Sequence, residues 1–130
     1  MLYEASHYSA CPDWPLRHFT PKEVADSRTG EVKLWVPFGL RMDELRDLHG
    51  QPIFVTSWYR TPDHDRDIGG KGNHSGGWAA DIYSNNMYEL LHDVCAQGFA
   101  GLGVAKSFIH VDDNEDYMNR GKRPALWTYK

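Results

Sequence analysis

The chain of 130 residues carries 14 basic against 18 acidic side chains, a formal charge of -4, with 41% hydrophobic, 25% charged and 13% aromatic residues. That is the composition of one globular domain with its own core. It excludes a disordered chain, offers no broad attraction for phosphate backbones and hence no nucleic-acid partner, and holds no apolar run near the ~20 residues of a membrane span.

The opening MLYEASHYSACPDWPLRHF has no basic start followed by an apolar stretch, so a soluble, monomeric product of cytoplasmic synthesis is expected. Residues 1–18 mix Pro12, Pro15 and several aromatics without a period, which predicts an irregular arm packed by Tyr3, Tyr8 and Trp14 ahead of a single domain over 19–130. A short helix starts at Thr20-Pro21-Lys22-Glu23, where Thr20 caps, Pro21 suits the first helical position and Glu23 returns a bond to the cap. Ser27 to Gly30 reads as a turn. Pro37 opens a second helix whose Phe38, Met42, Leu45 and Leu48 recur at helical spacing until Gly50 stops it.

Pro52 to Trp58 is rich in strand formers, and Arg60-Thr61-Pro62-Asp63 ends it. Residues 61–78 form a long polar, Gly-rich connection, a length that marks function or mobility in a compact domain. A strand follows at 79–83. Ser84 or Asn85 then caps a helix marked by Met87, Leu90, Leu91, Val94 and Cys95 and closed by Gly98. GLGVA and FIHVD read as two strands joined at Lys106-Ser107, followed by an acidic loop and a last strand at ALWTYK. Helices first and a hairpin-connected sheet afterwards indicate α+β, a mostly antiparallel sheet with helices packed on one side. Cys11 and Cys95 make no disulfide framework, and Cys95, on the apolar side of its helix, is expected to pack as a small hydrophobe.

Residues 72–84, GNHSGGWAADIYS, run a glycine-rich turn into a strand that carries one carboxylate among small and apolar residues. Something must compensate Asp81, because an unpaired buried charge is costly. Strand alternation puts Ala79, Asp81 and Tyr83 on one face, and Phe108, His110 and Asp112 on one face of a later strand. His74, Asp81 and His110 are therefore a candidate ligand set. Two imidazoles and one carboxylate suit one zinc ion, with a fourth position left for water as in catalytic sites. Spacing alone leaves a hydrogen-bonded strand histidine as the commoner alternative, and surface or hydrogen-bonded roles are expected for His7, His18, His49, His64 and His92.

His74-Ser75-Gly76-Gly77-Trp78-Ala79-Ala80-Asp81 resembles the H-x-x-G-x-A-x-D element of the zinc D-alanyl-D-alanine carboxypeptidase family, which includes vancomycin-resistance peptidases and phage endolysins and shares its fold with the hedgehog signalling domain. Ser57-Trp58-Tyr59-Arg60-Thr61-Pro62, Gly69-Gly70 and Phe108-Ile109-His110-Val111-Asp112 resemble further elements in the same order, as do Phe19 to Glu23 and Leu45-Arg46, so the likeness covers residues 18–127. It implies a zinc peptidase of peptidoglycan stem or cross-link peptides, with His74, Asp81 and His110 as ligands. Arg60 resembles the family's arginine, suited to hold a carbonyl oxygen or a terminal carboxylate. The resemblance breaks at Ser107, where better-known members carry Glu or Asp three positions before the last histidine. Asp112 is the nearest substitute as proton-handling residue, or else it orients His110; Asp113, Glu115 and Asp116 follow it in an acidic loop. Gly72 and Asp65 also depart from the pattern without touching a ligand. Trp58, Tyr59, Trp78 and Trp127 are candidates for a peptide groove, with packing expected for at least two. The resemblance further implies either a phage-encoded or cytoplasmic enzyme released to the cell wall, or a zinc-bearing relative that binds without catalysing.

Overall fold

The capping box expected at Thr20 forms: its hydroxyl accepts from the Glu23 amide at 3.2 Å and the Glu23 carboxylate accepts from the Thr20 amide at 2.9 Å. The helix so started, α1 (Pro21–Val24), is one turn long and buries Val24, whose carbonyl accepts from the Tyr59 amide at 2.9 Å. That bond anchors the chain just before Arg60. The structure, a computed structural model, describes residues 1–129; Lys130, the last residue of the expected ALWTYK strand, lies outside the described residues.

Two strands escaped the sequence reading. β1 (Leu2–Ala5), inside the arm expected to be irregular, pairs antiparallel with β2 (Val32–Trp35). Four residues between a turn and a helix are too few to show a period, although VKLW does alternate, with Val32 and Leu34 buried. Tyr3 and Trp14 pack edge-to-face, ring centroids 5.3 Å apart, as the arm's aromatics were expected to.

α2 (Val36–His49) buries Phe38, Met42 and Leu45 and ends on Gly50 in the left-handed conformation. Leu48, expected on the same stripe, is exposed, and the last turn buries His49 instead. The His49 imidazole lies 2.9 Å from both Asp93 Oδ2 and Ser84 Oγ, which makes a buried polar position affordable and ties α2 to α4 (Met87–Gln97). α4 is capped by Asn86, not by Ser84 or Asn85, because the Asn86 side chain accepts from the Glu89 amide at 3.0 Å. Cys95 does not pack into the core: it is exposed on α4, while Leu90 and Val94 carry the buried stripe. The connection 61–78 is not structureless, since it folds into α3 (Pro62–Asp67) and a 3₁₀ turn (Asn73–Gly76).

The main sheet has five strands in the order β3-β4-β6-β5-β7: β3 (Phe54–Ser57), β4 (Ala79–Tyr83), β6 (Ile109–Asp112), β5 (Gly101–Val104) and β7 (Ala125–Thr128). All neighbours are antiparallel except β5 and β7, which are parallel and joined through β6 and the short helix α5 (Glu115–Asn119). Ala80, Ile82, Ile109 and Val111 face the core and join one apolar cluster with Phe38, Met42, Leu45, Leu90 and Val94 of the helices. This is the α+β domain expected. By alternation the opposite face of β4 and β6 presents Ala79, Asp81, Tyr83, His110 and Asp112.

Candidate metal centre

β4 and β6 run antiparallel with Asp81 paired directly to His110, so two chemically active side chains from distant sequence meet on one face of the sheet. The third comes from the 3₁₀ turn, which stands at the entrance to β4 between Gly72 and Gly77, both at positive φ (91° and 76°). Gly77 cannot be replaced without strain: a Cβ there would stand 2.6 Å from the Lys33 carbonyl oxygen. Its own carbonyl accepts from the Trp35 amide at 3.0 Å, which fastens the turn to the β1–β2 ribbon.

His74, Asp81 and His110 each offer one ligand atom, and these atoms lie within 4.8 Å of one another. The two imidazoles are 4% and 2% exposed, and their rings meet edge-to-face at 5.2 Å. His74 Nδ1 lies 2.8 Å from the Trp58 carbonyl oxygen. A carbonyl only accepts, so Nδ1 carries the hydrogen and Nε2, 3.5 Å from Asp81 Oδ2, is left with its lone pair. His110 is used the other way round. Its Nε2 lies 2.9 Å from Asp112 Oδ2 and its Nδ1 2.8 Å from Asp81 Oδ1. Both unused ring positions are thus tied to protein acceptors behind the trio, the arrangement that orients histidine ligands.

The electrostatics answer the question raised by Asp81. Burial works to raise its carboxyl, but the hydrogen bond from His110, with the His74 imidazole beside it, prevails and holds it well below the usual carboxylate range. Burial works to lower His110, yet the hydrogen bonds to Asp112 and Asp81 outweigh it and the imidazole is raised. A ring held between two carboxylates attracts positive charge. A divalent cation on Nδ1 would take the place of that proton, so the donor set fits a metal in both charge and atom type.

Arg60 follows the end of β3, and its backbone amide donates to the His74 carbonyl at 3.3 Å. Its Nε lies 3.0 Å from the buried Asp65 Oδ1, so the departure at Asp65 serves to hold the arginine. Asp65 also accepts from the Gly72 amide through Oδ2 at 2.7 Å, which links Arg60 to the turn that carries His74.

Asp112 is fully buried and enclosed. Oδ2 is met by His110, by Arg123 Nη2 at 2.8 Å and by Asn73 Nδ2 at 3.2 Å; Oδ1 accepts from Arg123 Nε at 2.9 Å and from the Asn114 amide at 3.2 Å. Burial is outweighed by the hydrogen bonds from His110 and Arg123, and the carboxyl is held well below its ordinary range. Asp113 points elsewhere, to Arg41 at 2.9 Å, and Glu115 opens α5. Ser107 lies in the turn between β5 and β6.

Of the aromatics singled out, Trp58 and Tyr59 are buried and Trp58 belongs to the core, so they pack. Trp78 stacks edge-on against Trp35 at 6.3 Å. Trp127 lies beside the centre, its ring 5.3 Å from that of His110. The sequence reading missed Asn73, Arg123 and Tyr129. Burial raises the Tyr129 phenol above its ordinary value, a hydrogen bond with Trp127 works against it and the charges of Asp81 and Asp112 add to it, while the ring packs on Phe108 at 5.3 Å. One signal was legible: β5 reads Gly-Leu-Gly-Val, and on the site face its glycines pair with Asp112 and His110. Bare positions in a strand mark a close approach by a neighbour.

A family model described as Peptidase M15 matches residues 18–112, which include His74, Asp81, His110, Arg60 and Asp112. No curated protein matches the chain.

Proposed function

The chain belongs to the peptidase M15 family, and on that premise we propose that it hydrolyses peptide bonds in peptidoglycan stem or cross-link peptides, with one zinc ion held by His74, Asp81 and His110. The observation that carries the reading is the trio itself, three ligand atoms within 4.8 Å with each histidine presenting one nitrogen and tied behind by the other. Zinc bound by two imidazoles and one carboxylate supplies Lewis acidity and a bound water of lowered pKa.

The chain's own residues supply the rest. Arg60, in charge contact with the buried Asp65 carboxylate, has the N–H donors of its two Nη groups for a substrate oxygen, either the scissile carbonyl or a terminal carboxylate. Asp112 stands behind His110 and is enclosed by Arg123, so of the two roles expected for it, orienting the ligand is the one its surroundings support.

Hydrolysis of purified murein peptides, assayed with and without a chelator and followed by mass spectrometry, tests the reading. Chelator-sensitive cleavage supports it and identifies the bond; zinc bound without turnover favours a second reading, a metal-holding relative that only binds wall peptides. Ser107 speaks for that second reading, because a hydroxyl cannot serve as the carboxylate base expected three residues before His110.

A further inference from the structure

Arg123 lies beyond residues 18–112, the part of the chain matched by the family model. Its side chain is only 7% exposed and meets Asp112 in a two-pronged contact, Nε to Oδ1 at 2.9 Å and Nη2 to Oδ2 at 2.8 Å. The guanidinium is also held from its faces, with its carbon 4.8 Å from the Tyr117 ring centre and 5.0 Å from that of Trp127. Trp127 in turn packs against His110. The segment leading into β7 thus reaches back over the sheet and grips a carboxylate that also meets a metal-ligand candidate, His110, beside Asn73 and the Asn114 amide.

We propose that Arg123 is a positioning residue of the metal centre: by fixing both oxygens of Asp112 it fixes the His110 ring, with Nε2–H donated backwards and Nδ1 turned toward Asp81 and His74. This rests on the metal-peptidase reading above and deepens it. A buried carboxylate bonded to His110 alone would be free to rotate and would carry an uncompensated charge. The planar fork removes both freedoms, since two parallel bonds set the carboxylate plane as well as its position. Lysine has the charge and not the fork, so it would neutralise Asp112 without orienting it. The Asn73 amide nitrogen, 2.9 Å from His110 Nε2, then directs its hydrogens to Asp112, and the ring is left with one tautomer.

A salt bridge that only joins β6 to the segment before β7 would change stability and leave the metal untouched, which separates the two roles. Zinc is titrated into wild type, Arg123→Ala, Arg123→Lys and the control Arg120→Ala in competition with a chromophoric chelator, with circular dichroism to establish folding; Arg120 forms an exposed pair with Asp116. The expected result is a zinc Kd raised by about 10–100-fold in Arg123→Ala, a smaller rise in Arg123→Lys and none in the control. A folded Arg123→Ala or Arg123→Lys protein with the wild-type Kd overturns the proposal. If both variants unfold, ¹⁵N NMR of the histidine rings in zinc-loaded wild type decides: His110 bound through Nδ1 with Nε2 protonated agrees, and binding through Nε2 overturns it. A wild-type chain that takes up no zinc sinks the metal reading and this proposal together, whereas zinc uptake with unaffected variants sinks this one alone.

Discussion

Asp81 and His110 are directly opposed on neighbouring antiparallel strands, with Asp81 Oδ1 2.8 Å from His110 Nδ1. The bond between them joins two of the three side chains that would hold a metal. Asp81→Asn and His110→Ala are therefore expected to lose zinc on dialysis while wild type retains one ion per chain, as read by elemental analysis. Retention by both variants would place the metal elsewhere.

Zinc should also stabilise the fold by mass action, because the three ligands converge only in the folded chain. At a free zinc concentration ~100-fold above Kd the gain is about 2.7 kcal/mol. Urea unfolding with and without zinc measures it, and the gain should vanish in His110→Ala.

Arg60→Ala should cost ~10²–10³-fold in kcat/KM on murein peptides if the guanidinium holds the developing oxyanion, with kcat carrying the loss. A loss confined to KM would assign it to the substrate's terminal carboxylate. Arg60→Lys should recover little in either case, since the Asp65 contact uses Nε.

Gly103→Ala should destabilise the domain by about 1–3 kcal/mol, because its Cβ would stand 2.5 Å from Trp127 Nε1 and 2.7 Å from Cε2. Chemical denaturation of Gly103→Ala, Trp127→Ala and the double variant would show coupling, with most of the Gly103→Ala penalty removed once the indole is gone.

Asp26 predicts the acid limb of the stability curve. It is buried, and although burial works to raise its carboxyl, hydrogen bonds from His64, Thr29 and Thr61 lower it. A folded pKa below the unfolded one means that the unfolded chain takes up the proton first. The stabilisation is therefore present above the ordinary carboxylate value of ~4 and is lost as pH falls from there through the folded value. Asp26→Asn should lose about 1–3 kcal/mol at neutral pH and flatten the dependence below pH ~4, measured by urea midpoints from acid to neutral pH.

The centre was legible because its three residues each carry a local sign: a glycine-bracketed histidine, a carboxylate among alanines, and a histidine in an alternating strand. Arg123 carried none. Its partner Asp112 is 11 positions away across a turn and a short helix, and only the parallel β5–β7 pairing brings the two together. β1 and β2 were lost for a similar reason, being four-residue strands whose pairing spans some thirty positions. Leu48 and Cys95 show the opposite failure, in which a correct helical period was read but the stripe was drawn one position too wide.

Two of the three candidate ligands are built on central strands, while His74 rides on a turn with a glycine at each end. The far end, at Gly77, is pinned by β2, and the near end is held by side chains, the Gly72 amide by the Asp65 carboxylate and Asn73 by Asp112 and Asn114. His74 itself is fastened at both its ring and its carbonyl, to the Trp58 carbonyl and the Arg60 amide. An ion leaving past this turn has to break several bonds together, so slow exchange of the metal is the expected consequence.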